Sequence, residues 1–170
     1  MKTFIMRYFF YLALLFTLLY APTSELSIWL NTLQREFTLQ GLNLFLKPEQ
    51  LKGIDIWINP HYKIIITQAC NGFIPILLLW ASILAFKGEV WKKLLWGVGG
   101  YLLFSVVNVA RILFVVYATE QEGGAANFYW SHDLLGNFFL MATGLLLFIG
   151  YVKHASSSTP SPQQWCHHHL

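Results

Sequence analysis

The chain has 170 residues, of which 56% are hydrophobic and only 11% charged, with a mean hydropathy of +0.51. Soluble domains carry about 25% charged residues, so this composition excludes an ordinary water-soluble domain and indicates an integral membrane protein. A net charge of +3 spread over scattered basic residues excludes a nucleic-acid surface, and two cysteines without a CxxC pair exclude a disulfide framework.

Four apolar runs are predicted as membrane spans, at approximately 4–20, 70–87, 94–118 and 134–152. A span needs about 20 residues, and the second run reaches that length only with Cys70 and Asn71 included. The fold expected is an all-α integral membrane protein. It is a bundle of about four to six transmembrane helices in one membrane domain, residues 1–153, followed by a disordered tail, 154–170. The first run has a basic start, but "LLYAPTS" offers no A-x-A cleavage site, so it is read as a span.

Residues 21–69 are expected at the outer face. "SELSIWLNTLQREF" places Leu26, Trp29, Leu30, Leu33 and Phe37 at helical spacing, with Pro22 and Ser24 as start signals. It is predicted as an amphipathic helix lying on the outer leaflet. Ile54, Ile56 and Ile58 then alternate, Asn59-Pro60-His61 turns the chain, and "YKIIITQ" returns, which predicts a β-hairpin leading into Cys70.

Lys2, Arg7, Lys87, Lys92, Lys93 and Lys153 fall on one side of a four-span bundle, and 119–133 carries no Lys or Arg. The positive-inside rule makes the basic side cytoplasmic. Cys70 then enters the second span from outside, Arg111 lies near the outer end of the third, and His132 and Asp133 precede the fourth. A thiol, a guanidinium and an imidazole thus converge on one membrane face from three segments.

Each has a bland reading. A lone membrane cysteine is usually packing, a histidine at a span end is usually interfacial, and Asn108 is interhelical glue. A charge inside a span is functional by default, although a structural ion pair of Arg111 with Asp133 or Glu120 is the rival. Together they suit nucleophilic catalysis. A helix start and a nearby cation favour a reactive thiolate at Cys70, and Asn71-Gly72 permits a tight turn there. Arg111 can stabilise an oxyanion, with Asn108 one turn away to orient it. His132 can serve as acid and base, braced by Asp133 and Asn137. No metal or organic cofactor is expected, and Cys166 with His167, His168 and His169 is read as a disordered end rather than a metal site.

"ACNGF" at a span entrance, "NVAR" late in the next span and "SHD" before the following one resemble the exosortase and archaeosortase family over roughly residues 53–152. The resemblance implies a Cys70, Arg111, His132 set acting as nucleophile, transition-state stabiliser and acid–base. It also implies a membrane-embedded cysteine transpeptidase or peptidase. Its substrates would be exported proteins with a C-terminal sorting signal: a short motif, a membrane helix and a basic cluster. The acceptor would be an amine or water, and the site would face outward from a bacterial or archaeal cytoplasmic membrane. Many members carry CSG where this chain has Cys70-Asn71-Gly72, which bears on the subfamily, and the chain resembles a small, minimal-core member. The rival readings are a non-catalytic membrane assembly partner built on an Arg111 ion pair, and a thiol redox protein, which would need a second cysteine on the same face.

Overall fold

The computed structural model describes residues 2–22, 24–121 and 136–157. Helix α1, Lys2–Leu15, runs on through a π-helical turn, Phe16–Tyr20, and α2 follows at Glu25–Asn43. Strands β1 (Leu51–Lys52), β2 (Asp55–Asn59) and β3 (Tyr62–Ile65) lead into a 3-10 turn, Gln68–Cys70. Then come α3 (Phe73–Ala85), α4 (Val90–Gln121) and α5 (Asn137–Ser157).

Among the described residues, three helical segments are long and apolar enough to cross a membrane: Lys2–Tyr20, Val90–Glu120 and Asn137–Ser157. The second predicted span is shorter than expected, since α3 has 13 residues, about 20 Å of helix. Its start is fixed locally. Asn71 Oδ1 accepts a hydrogen bond from the Phe73 backbone N–H at 3.0 Å, and Gly72 takes a left-handed φ of 74°. Helix α4 is longer than expected, at 32 residues or about 48 Å. It begins at Val90, so Lys92 and Lys93 sit in its first turns rather than in the connection. Helix α5 likewise runs past the expected span end through Lys153 and His154 to Ser157.

The helices run up and down beside one another. Phe4 meets Phe86 at the far ends of α1 and α3, while Gln68 Nε2 donates to the Tyr20 carbonyl at the near ends. Trp80 Nε1 donates to the Gly97 carbonyl across α3 and α4. Small residues set these approaches: a Cβ on Gly100 would lie 2.5 Å from Leu79 Cδ2, and one on Gly150 would lie 2.9 Å from Trp96. That is how membrane helices associate when lipid offers no hydrophobic drive between them. The core of this half holds Phe73, Ile76, Leu77, Leu79, Ile83, Phe104, Leu140 and Tyr151. Outward-facing Met6, Val106, Met141 and Leu146 stay largely exposed.

The hairpin is present, with β1 as a third strand, in the antiparallel order β1-β2-β3. Its Asn59 Oδ1 caps the turn by accepting from the His61 N–H, and Lys63 bridges to Asp55 across the strands at 2.6 Å. Ile56, Ile64 and Ile66 are buried against Val109, Ile112, Val115 and Val116 of α4. The sheet therefore takes over the last turns of α4, which explains how that helix can exceed a bilayer's ~30 Å hydrocarbon core.

Helix α2 departs most from expectation. Ser24 caps it as predicted, accepting from the Ser27 N–H. The predicted apolar stripe is there, but the polar stripe opposite is the one packed inside the protein: Ser27, Gln34 and Thr38 are buried, whereas Leu26, Trp29, Leu33 and Phe37 are exposed. An amphipathic helix on a leaflet would turn its polar face to water; α2 turns it to the bundle.

Candidate active site

The site is built where α3 begins, between the helical bundle and the sheet. Cys70 ends the 3-10 turn, half-buried, its backbone N–H donating to the Thr67 carbonyl at 3.0 Å. The Thr67 hydroxyl in turn donates to Cys70 Sγ at 3.5 Å. Gly72 is needed at this corner for two reasons. Its φ is left-handed, and a Cβ there would lie 2.8 Å from Asn108 Cγ.

That close approach lets Asn108 hold two parts of the site at once. Its Nδ2 donates to the Cys70 carbonyl at 3.0 Å, and its Oδ1 accepts from Arg111 Nη1 at 3.1 Å. Asn108 is fully buried and Arg111 is 5% exposed. The guanidinium is thus tied, through one amide, to the turn that carries the thiol.

A polar network backs this corner from α2. Gln34 Nε2 donates to the Asn71 carbonyl at 3.1 Å and to Ser105 Oγ at 3.2 Å, and Ser105 also donates to the Tyr101 carbonyl. Asn71 Nδ2 donates to Asn31 Oδ1 at 3.4 Å, and Asn31 Nδ2 donates to the Leu19 and Ser27 carbonyls. Every buried amide thereby finds a partner, as burial requires.

Of the residues predicted from sequence, Cys70, Asn71, Gly72, Asn108 and Arg111 are brought together. Asn137 is exposed in the first turn of α5. The packing of α5 on α4 places Gly150 against Trp96 and Gly144 against Phe104. Extended up both helices at 1.5 Å per residue, that antiparallel register sets Asn137 at about the level of Arg111. His132 and Asp133 lie outside the described residues, as do Ser131 and the tail with Cys166, His167, His168 and His169. Glu120 stands about two and a half turns beyond Arg111 on α4, on the opposite face, and accepts from Gln50 Nε2. This removes one of the two carboxylates considered as a structural partner for Arg111.

Gln34, Asn31, Thr67 and Ser105 are the members of the site not found from the sequence. The signal was present for the first two. Ser27, Asn31, Gln34 and Thr38 form a polar stripe at helical spacing on α2, and in a lipid setting such a stripe marks the face that meets protein.

A family model described as transmembrane exosortase matches residues 2–149. No curated protein and no solved structure matches the chain.

Proposed function

Because the chain belongs to the transmembrane exosortase family, a membrane transpeptidase-type family, we propose that it is a cysteine transpeptidase or peptidase that forms a thioester on Cys70. The observation that carries this reading is the pair of hydrogen bonds made by Asn108, which ties the Cys70 turn to the buried Arg111 guanidinium. A structural arginine has no need of a thiol-bearing turn as its neighbour. A catalytic one needs a fixed position relative to the attacking sulfur.

His132 takes the thiol proton, and Sγ attacks the carbonyl carbon of the substrate peptide. Arg111 stabilises the oxyanion, as a preorganised cation in a water-poor site does best. The C–N bond then breaks as His132 returns the proton to the departing amine, leaving the thioester. An amine or water attacks the thioester carbonyl and gives its proton to His132; the C–S bond then breaks, and His132 returns the proton to the departing Cys70 sulfur. The Thr67 hydroxyl, a donor to Sγ, favours negative charge on the sulfur. The level of α5's first turn relative to Arg111 supports the role of His132, which precedes Asn137 by five residues of sequence. The substrates in this reading are exported proteins with a C-terminal sorting helix, met at the outer face of a bacterial or archaeal cytoplasmic membrane.

The test is labelling of Cys70 in intact cells by a membrane-impermeant thiol reagent across pH, with Cys166 replaced by Ser. The expected outcome is modification from outside with a midpoint well below the ~8.5 of a free thiol. That midpoint moves up in Arg111→Leu, less in Arg111→Lys, and up in His132→Ala. A thiol that reacts only at high pH, whatever stands at 111 or 132, would make Cys70 a packing residue and leave the assembly-partner reading in its place.

A further inference from the structure

Beside the Cys70 turn the surface opens into a groove of about 300 Å³. Ile28, Thr32 and Arg35 of α2 form one wall; Ile65, Thr67 and Asn71 form the other. Thr67, Gln68 and Asn71 of the lining belong to the turn that carries Cys70, and the Thr67 hydroxyl reaches the Cys70 sulfur, so the groove runs alongside the thiol's turn. Its lining is mainly apolar, and Arg35 is the cation in it. Arg35 Nε is buried without a hydrogen-bond partner, and its Nη2 is 3.9 Å from Glu36 Oε1, a long, exposed contact. The side chain as a whole is 41% exposed, so the Nη groups of the guanidinium are open to an acceptor seated in the groove.

The β3 strand adds a second feature. Ile66 N–H donates to the Ile54 carbonyl, and Ile64 pairs with Ile56, so the backbone groups of Ile65 turn to the outer edge of the sheet. That edge is unpaired among the described residues, since β3 is last in the strand order.

We infer that this groove is the substrate subsite next to the bond that is cut, and that Arg35 is its specificity-determining residue. The occupant is an extended segment of the exported substrate, seated between α2 and the end of β3, with a hydrogen-bond acceptor facing the guanidinium. The acceptor is a main-chain carbonyl or a side-chain carboxylate. The inference rests on Cys70 being the nucleophile, and its test separates the two.

The probes are alanine-based pentapeptide chloromethyl ketones, carrying Glu or Gln in place of Ala at each position in turn, with iodoacetamide as the reagent that needs no subsite. In each case Sγ displaces the halide and the adduct on Cys70 is counted by mass. The peptides are expected to modify the full-length protein in membranes faster, relative to iodoacetamide, than they modify free cysteine. Arg35→Leu should remove roughly tenfold to a hundredfold of that advantage, the worth of one charge-assisted hydrogen bond, while iodoacetamide labelling holds. Arg35→Lys should restore part of it, and Thr32→Trp, which fills the groove, should remove it again. An advantage specific to Glu identifies a carboxylate; one shared by all peptides identifies the main chain. A peptide-to-iodoacetamide ratio indifferent to Arg35→Leu and Thr32→Trp overturns the subsite and leaves the nucleophile standing. Failure of both reagents on Cys70 overturns the nucleophile, and the subsite with it.

Discussion

Gly72→Ala isolates what the corner at Cys70 depends on, because the chain supplies its own control in Gly53. Both glycines are left-handed, with φ of 74° and 63°, so alanine at either position carries a backbone strain of about 1–2 kcal/mol. They differ in surroundings. A Cβ on Gly53 meets nothing within 4 Å, whereas one on Gly72 lies 2.8 Å from Asn108 Cγ and 3.1 Å from its Oδ1. Asn108 is buried and has nowhere simple to go. Moving it breaks the bond to the Cys70 carbonyl, the bond from Arg111, or both, and an unsatisfied buried group costs about 1–3 kcal/mol. Gly72→Ala should therefore be less stable than Gly53→Ala by that margin. In detergent this is a melting temperature lower by roughly 2–12 °C at 2–4 °C per kcal/mol for a chain of this size. It should also slow alkylation of Cys70, which Gly53→Ala should leave alone. Equal melting temperatures and equal alkylation rates for the two variants would refute the claim that Asn108 fixes the thiol's turn.

Gln34→Leu keeps the volume of a fully buried side chain but strands the Asn71 carbonyl. It is expected to destabilise the protein by about 1–3 kcal/mol, measured by thermal unfolding, and to loosen the Cys70 turn enough to change its alkylation rate; an unchanged rate would make α2 a bystander to the site. In a chain cleared of Cys70 and Cys166, a cysteine placed at His61 should react with an impermeant reagent outside intact cells, and one at Glu89 only after permeabilisation. The reverse pattern would turn the site to the cytoplasm and contradict the charge bias of Lys87, Lys92 and Lys93.

The features legible in the sequence are those set by local rules. Period-two alternation around Asn59-Pro60-His61 gave the hairpin, Ser24 gave the start of α2, and up-and-down connectivity put Cys70 and Arg111 at one end of the bundle. Three features were hidden because apolar runs and spacing do not set them. The brevity of α3 comes from both ends: Asn71 caps Phe73 just past a 3-10 turn, which hydropathy cannot distinguish from three more helical residues, and Phe86 turns extended where the apolar run goes on. Helix α4 extends past the expected span at both ends, from Val90 to Gln121, because helical residues that include Lys92, Lys93 and Glu120 continue it beyond the apolar run, and β1, two residues long, is too short to show an alternation. The tie of Gln34 to Asn71 and Ser105 joins positions 37 and 71 residues apart; the polar spacing on α2 marks the inward face but not these partners.

The inversion of α2 belongs with these, and it bears on how the site must be probed. A stripe of Leu26, Trp29, Leu33 and Phe37 says which face is apolar but not what that face meets. In water it meets the core; beside lipid the hydrophobic drive toward protein vanishes, and hydrogen bonds select the inner face. The amides around Cys70 are therefore also the adhesive that seats α2 on the bundle. Substitutions at Asn31, Gln34, Ser105 or Asn108 disturb folding and chemistry together, and an inactive variant at any of them is ambiguous. Cys70 is the exception. The corner is held through its backbone carbonyl and N–H, and the sulfur accepts from the Thr67 hydroxyl on its exposed side. Cys70→Ala thus leaves the adhesive in place while deleting the proposed nucleophile. For that reason it separates a transpeptidase from an assembly partner more cleanly than any change at the more deeply buried Arg111.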